Sequence, residues 1–407
     1  MPEAVIVAAA RTPIGRAFKG SLVDLRADDL TATIVGAALA QVPDLDPRLL
    51  DDLYLGCAEP SGEQGTNMAR VVAVLAGLDG LPGATINRFC GSSVQTTRMA
   101  FHAIAAREGH AFISAGVEVV SRYPRFSGAG EGDDEHYNPV FEAAQQRSAE
   151  TAEADGVWTD PRTAGQMPDI YVAMGQTAEN VARLRSVSRQ AQDEWAVESQ
   201  NRAEKAIANG VFAREITPIV RPDGTIVDAD DSPRAGTTVE SVSSLRPVFR
   251  DNGTITAGNA CPLSDGAAAL VVMSDTRARE LGITPLARVV STGVSALSPE
   301  IMGLGPVEAT RRALDLAGMS IDDIDLVELN EAFAAQVLPS ADDIGVDYDK
   351  LNVHGGAIAL GHPFGMTGAR ITTTLLNALR THDKQFGLET MCVGGGQGMA
   401  IIYERLS

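Results

Sequence analysis

The feature that most constrains this chain is a pattern that occurs twice. Leu49-Leu50-Asp51-Asp52-Leu53-Tyr54-Leu55 parallels Ser320-Ile321-Asp322-Asp323-Ile324-Asp325-Leu326. Cys90 follows Asp51, and His362 follows Asp323, by the same 39 positions. Each landmark then leads into a helical pattern and an apolar run, Ala111–Ala115 in one half and Met391–Val393 in the other. Two copies of one α/β unit account for this, and two such units facing each other would bring Cys90 near the loops of the second. Strand-like and helical runs alternate in both halves. Ala4–Ala9, a helix over about Ala27–Val42 and Asp52–Leu55 open the chain. Arg288–Gly293, a helix over Val307–Gly318 and Leu326–Leu329 repeat the order near its end. That rhythm predicts parallel sheet covered by helices.

Between the copies the pattern changes. From about Ser121 to Arg250 the chain is acidic, polar and broken by Gly and Pro. Asp133-Asp134-Glu135 and Ser148–Gly165 read as solvated loop. Helices are expected at Thr177–Leu184 and at Arg189–Asn209, the latter capped by Ser188. The reading is of residues 1–120 with 251–275 as a first half, 121–250 as an insertion carried by it, and 276–407 as a second half. A chain of 407 residues with 44% hydrophobic content can bury more than one core.

Charge and cysteine usage narrow the function. A formal net charge of −20 disfavours sequence-independent nucleic-acid binding or an anionic membrane surface, since both need a basic face. The apolar run Ala4–Ala10 is too short to cross a membrane, follows an acidic residue rather than a basic region, and reads as the first strand. Cys57, Cys90, Cys261 and Cys392 are scattered, with no CxxC pair, so neither a metal site nor a disulfide framework is expected and the chain reads as cytoplasmic.

Chemistry is expected at four places. Cys90 lies between the apolar run Ala84–Ile86 and a helix from Gly91 to about Arg107. Free N–H groups at a helix start carry partial positive charge, which predicts a lowered thiol pKa. Asn330-Glu331-Ala332-Phe333 follows a strand. Gly355-Gly356 leads to Gly361-His362-Pro363-Phe364-Gly365, and Cys392-Val393-Gly394-Gly395-Gly396-Gln397-Gly398 follows another strand. Gly-rich turns let backbone N–H groups approach a developing oxyanion, a histidine can take a thiol proton, and a second cysteine can act as acid or base. Taken singly, each residue has an ordinary structural explanation; it is the set that points to catalysis.

That set resembles the thiolase family. Asn87-Arg88-Phe89-Cys90-Gly91-Ser92, Met174-Gly175-Gln176-Thr177-Ala178-Glu179-Asn180, Thr256-Ala257-Gly258-Asn259-Ala260, Asn330-Glu331-Ala332-Phe333, Gly361-His362-Pro363 and Cys392-Val393-Gly394-Gly395-Gly396 stand in the family's order over nearly the whole chain. The resemblance implies duplicated βαβαβαββ halves in a five-layered αβαβα core, with a loop domain inserted in the first. It implies acyl transfer between a 3-ketoacyl-CoA and CoA, with CoA as substrate and no metal or redox cofactor. By resemblance Cys90 is the nucleophile and His362 takes its proton. Cys392 exchanges the α-proton of acetyl-CoA. Asn330 holds a water that, with His362 Nε2, stabilises the enolate oxygen. The N–H groups of Cys90 and Gly394 form a second oxyanion hole. The same resemblance places Arg234 at the nucleotide end of CoA and Phe249 against pantetheine or adenine. Ala257 lies in the motif beside the pantetheine, and Met174, Met302 and Phe333 line the tunnel. Cys261 stands where relatives often carry a serine, and a thiol is a weaker donor to the pantetheine amide. His354, before Gly355-Gly356, reads as a bystander rather than a pH-sensitive neighbour of the site. A homodimer or homotetramer is expected, with a β-oxidation partner subunit as a further partner class. The long insertion and His362-Pro363-Phe364 favour the degradative direction over biosynthetic condensation of two acetyl-CoA; a non-catalytic acyl-CoA carrier would be expected to lack one of the four residues.

Overall fold

The computed structural model describes residues 2–123 and 137–407. Its strands are β1 Ala4–Arg11, β2 Gly15–Arg16, β3 Asp52–Gly56, β4 Gly83–Ile86, β5 Ala111–Val119, β6 Ile219–Val220, β7 Ile226–Val227, β8 Ser264–Ser274, β9 Ala287–Ala296, β10 Leu326–Leu329, β11 Phe386–Val393 and β12 Gln397–Arg405. Its α-helices are α1 Ala27–Ala40, α2 Met68–Leu75, α3 Ser92–Ala106, α4 Glu142–Glu153, α5 Met174–Leu184, α6 Arg189–Ala208, α7 Val239–Ser243, α8 Asp275–Leu281, α9 Gly305–Ala317, α10 Ala334–Ile344, α11 Ala357–Leu360 and α12 Thr367–Thr381.

The two halves repeat one strand order. In the first, β3 pairs parallel with β5, β5 antiparallel with β8, and β8 antiparallel with β1. In the second, β10 pairs parallel with β11, β11 antiparallel with β12, and β12 antiparallel with β9. β4 flanks β3 in parallel, and a single parallel bridge, Val327 to Leu351, flanks β10 at the equivalent place. The halves meet where β1 pairs with β9 through Val5–Arg288 and Ile6–Ala287. The duplication read from the paired landmarks is thus present in the hydrogen-bond ladder.

Every residue of β5 and of β8 is buried, as expected of strands with both faces covered. Three apolar layers do the covering. On one outer face, Leu30 and Ile34 of α1 and Val72 of α2 pack on Leu53 and Val271. Between the halves, Val94 and Ile104 of α3 and Ile371 and Leu375 of α12 pack on Leu270 and Ile401. On the other outer face, Ala309 of α9 and Val337 of α10 pack on Leu388 and Ile402. The layering is αβαβα, with α3 and α12, the helices that follow Cys90 and His362, back to back at the centre.

The expected helices and strands recur within a few residues, and Ser188 caps α6 by accepting the Ala191 N–H at 3.1 Å. One expectation is corrected. Ser148–Gly165 was read as loop, but α4 runs through Glu153. Its sequence EAAQQRSAETAE is built of Ala, Glu and Gln, good helix formers whose polarity hides any amphipathic stripe; only Ala144 is buried. The run Asp133-Asp134-Glu135 lies outside the described residues. Among those residues no helix is long and apolar enough to cross a membrane.

Candidate active site

The site forms where the two halves present their β–α junctions to each other. Cys90 lies in a 3₁₀ turn, Phe89–Gly91, between β4 and α3. Phe89, just before it, has φ +45°, a left-handed conformation an aromatic residue adopts only under tertiary constraint. Ser92 holds the turn: its Oγ accepts the Arg88 N–H at 2.9 Å and donates to the Phe89 carbonyl at 2.6 Å. The backbone N–H groups of Gly394 and of Cys90 favour the thiolate form of the Cys90 sulfur. The expectation of a lowered pKa is nevertheless not met. Desolvation outweighs these donors and pushes Cys90 up to about 12, so the resting group is a thiol.

His362 is 1% exposed. Gly361 before it has φ +112°, and a Cβ there would lie 2.7 Å from Ser264 Oγ, so the approach to the histidine requires glycine. Thr367 Oγ1 donates to the Pro363 carbonyl at 2.8 Å. With its proton so placed, it accepts from His362 Nδ1 at 2.6 Å. The network therefore assigns the Nδ1–H tautomer and leaves a lone pair on Nε2, which accepts from Asn330 Nδ2 at 3.3 Å. Burial, with a smaller repulsion from Arg370, pushes His362 down to about 3. The ring is neutral at physiological pH, with its basic nitrogen free of a proton.

Cys392, at the end of β11, is fully buried, and desolvation holds its pKa well above that of a free thiol. Its Sγ donates to Gln336 Oε1 at 2.9 Å, and Gln336 Nε2 reaches the Asn330 carbonyl at 3.5 Å. Cys392, Gln336, Asn330 and His362 thus form one hydrogen-bonded series. Asn330 Oδ1 is buried and has no protein partner. Such an acceptor calls for a water or a ligand group. Beneath the series, Glu331 accepts from Trp195 Nε1, Ser199 Oγ, Asn352 Nδ2 and the Ile358 N–H, joining the Asn330 loop to α6 and to the segment leading into His362.

The remaining predicted residues divide. Met174, Phe249, Met302 and Phe333 come together with Cys392 in one apolar cluster. The rings of Phe249 and Phe333 meet edge to face at 6.2 Å, and a side chain at Gly175 would strike Phe249. Cys261 is held beside this cluster by its N–H bond to the Ala332 carbonyl at 3.1 Å, and burial raises its thiol pKa also. Glu300 fastens the insertion to the turn bearing Met302, accepting from Arg147 Nη2, Trp158 Nε1 and the Asp169 N–H. Ala257 is exposed on the turn between Thr256 and Gly258. Arg234 is exposed too; its backbone N–H bonds Gln200 Oε1 at 2.9 Å. His354 pairs with His382 instead, Nε2 to Nε2 at 3.2 Å. Sequence reasoning missed Gln336 and Thr367. Thr367 is the first residue of α12, five positions after His362, and nothing in its sequence context marks it.

Comparison with known proteins gives the family. Residues 4–276 match the thiolase N-terminal domain and residues 283–405 the thiolase C-terminal domain. The 3-ketoacyl-CoA thiolases of Photobacterium profundum and Aeromonas salmonicida are each 45% identical to the chain, with 100% of both chains covered. The crystal structure of the Bacillus anthracis acetyl-CoA acetyltransferase superimposes with a TM-score of 0.87 at 35% identity, covering 100% of this chain and 99% of that one. The chain is a member of the thiolase family.

Proposed function

We propose that the protein catalyses thiolytic cleavage of 3-ketoacyl-CoA by CoA, giving acetyl-CoA and a shortened acyl-CoA through an acyl-enzyme on Cys90. The observation that carries this is the hydrogen-bonded series from Cys392 through Gln336 and Asn330 to His362, with the buried Asn330 Oδ1 left without a protein partner. His362 Nε2 takes the Cys90 proton as the sulfur attacks the 3-keto carbon, and the tetrahedral oxyanion is received by the N–H groups of Cys90 and Gly394. The C2–C3 bond then breaks and its electron pair becomes the enolate of acetyl-CoA. His362, now carrying a proton on Nε2, faces the enolate oxygen together with a water bound to Asn330 Oδ1. Cys392 S–H delivers its proton to C2, and acetyl-CoA leaves. In the second half CoA–SH gives its proton to the Cys392 thiolate and attacks the acyl thioester. The departing Cys90 sulfur recovers its proton from His362. Atoms and charges balance without a metal or redox group; CoA enters as substrate.

The names carried by the relatives at 45% identity support the degradative direction over the acetyltransferase reading suggested by the structural neighbour at 35%. Self-association belongs to the same reading. β4 ends the sheet, and beside it Val71, Val74 and Leu75 of α2 are exposed, an apolar edge suited to pairing with a second copy. All four cysteines are free, which suits a reducing, cytoplasmic setting.

The test combines acyl labelling with a substrate series. Mass spectrometry after exposure to a 3-ketoacyl-CoA should place the acyl group on the Cys90 peptide. Cys392→Ala should still acylate but lose turnover by about 10²–10⁴. An adduct on Cys392 in the Cys90→Ala protein would reverse the roles. A kcat/KM that is highest for acetoacetyl-CoA and falls with every longer 3-ketoacyl chain would favour the biosynthetic alternative.

A further inference from the structure

The Gly394 N–H is the half of the proposed oxyanion hole that lies in a run of glycines. It opens the turn Gly394-Gly395-Gly396 between β11 and β12. Gly395 and Gly396 have φ +73° and +74°, and none of the three residues has a side chain to fix the peptide planes. Phe89 packs against Gly394 and Gly395, and one polar side chain hydrogen-bonds the Gly394 carbonyl: Gln397 Nε2 donates to it at 3.1 Å. The other end of the same amide is committed as well, since Gln397 Oε1 accepts from Arg88 Nη1 at 2.8 Å. An arginine only donates, so it admits only the oxygen of the amide and forces the NH₂ toward Gly394. Arg88 lies two residues before Cys90, in the other half of the molecule, and its own backbone N–H is fixed by Ser92 Oγ.

We infer that Arg88 and Gln397 are positioning residues that set the Gly394 N–H against the Cys90 sulfur across the junction between the two halves. Neither touches the reacting atoms in this account. Arg88 orients the Gln397 amide, the amide orients the Gly394–Gly395 peptide, and one glycine lies between that peptide and the N–H that faces the nucleophile. The same side chains tie the Cys90 turn to the glycine turn, so the two donors of the hole move as one body.

The inference rests on the reading of Cys90 as nucleophile and of the Cys90 and Gly394 N–H groups as its oxyanion hole. Gln397→Glu separates positioning from simple stapling. The carboxylate keeps, and strengthens, the link to Arg88, but it presents an acceptor to the Gly394 carbonyl where a donor is needed. Single-turnover acylation of Cys90 should slow by about tenfold or more, up to the roughly 10²–10³ that follows complete loss of an oxyanion donor. KM for CoA should stay within about twofold of wild type, because the tunnel residues are untouched, and Tm should be retained because the inter-half link persists. Arg88→Met tests the pair from its other end: acylation should slow, and the double variant should be no slower than Gln397→Glu alone, as expected for two residues acting through one contact. Wild-type acylation in Gln397→Glu, or strictly multiplicative losses in the double variant, would overturn the inference. Absence of any Cys90 adduct in the wild-type enzyme would instead overturn the underlying mechanism.

Discussion

Replacing Thr367 by valine should disable His362, the proposed base, without touching the substrate. The two side chains are nearly the same shape, so the change removes one hydroxyl from a fully buried site. In the native arrangement that hydroxyl accepts the His362 Nδ1–H at 2.6 Å and thereby leaves Nε2 bare. Without it two outcomes are open to the ring. It keeps the Nδ1–H tautomer with an unsatisfied buried donor, or it moves the proton to Nε2, where it meets the Asn330 NH₂ donor to donor. An unsatisfied buried polar group costs about 1–3 kcal/mol. Charged against the productive form of the base, that is a loss of about 5- to 150-fold in kcat. KM for CoA should hardly change, since Thr367 lies behind the histidine. Steady-state thiolysis at saturating CoA measures the loss, and Thr367→Ser, which restores the hydroxyl, should recover most of it. If Thr367→Val retains kcat within twofold, or if Thr367→Ser is equally impaired, the tautomer assignment fails.

Arg234→Ala should raise KM for CoA by about fivefold, the scale of one exposed charge pair, and the difference from wild type should shrink as salt is raised; an unchanged KM would move the nucleotide site elsewhere. Stability should fall as pH rises from about 6.5 to 8. Burial pushes Glu389 and Glu328 up to about 8, so the folded protein keeps carboxyl protons that the unfolded chain has released. Below pH 6.5 the lowered His362 pulls the other way, because there the unfolded chain binds a proton that the folded one refuses. Glu389→Gln should flatten the slope between pH 6.5 and 8 by up to about 1.4 kcal/mol per pH unit, read from urea unfolding at a series of pH values, and an unaltered slope would show that Glu389 is ionised in the fold.

What the sequence disclosed follows from how local each signal is. The strand–helix alternation, the doubled landmarks and the glycine turns are short-range patterns, and each appears in the fold close to where it was read. Four reactive residues scattered between positions 90 and 392 could be grouped only because they recur in a family order; no spacing rule joins Cys90 to Cys392. Gln336 escaped notice because its partner Cys392 is remote in the chain and a glutamine inside a helix carries no mark of its task. Helix α4 escaped because its helix formers are Ala, Glu and Gln with no large apolar residue, so it shows no amphipathic stripe. The pKa of Cys90 was misjudged for a different reason. The helix start is visible in sequence, but the dryness of the site is made by residues from both halves, and burial was the larger effect.

That misjudgement changes how the site has to work. A nucleophile held as thiolate would need only a substrate; a thiol raised to about 12 needs a base at the moment of attack. In the proposed mechanism His362, held neutral with its lone pair on Nε2, serves as that base, and receiving the proton turns the same nitrogen into a donor. The nitrogen that enables attack is thereby converted into the group that faces the enolate one step later. The second thiol fits the same logic. Cys392 is kept protonated by burial and by donating to Gln336, so in the proposed mechanism it holds the proton that C2 requires once the carbon–carbon bond has broken. In that mechanism desolvation, which looks unfavourable for a cysteine enzyme at rest, keeps both protons in place until the substrate arrives and strengthens every N–H aimed at a developing oxyanion.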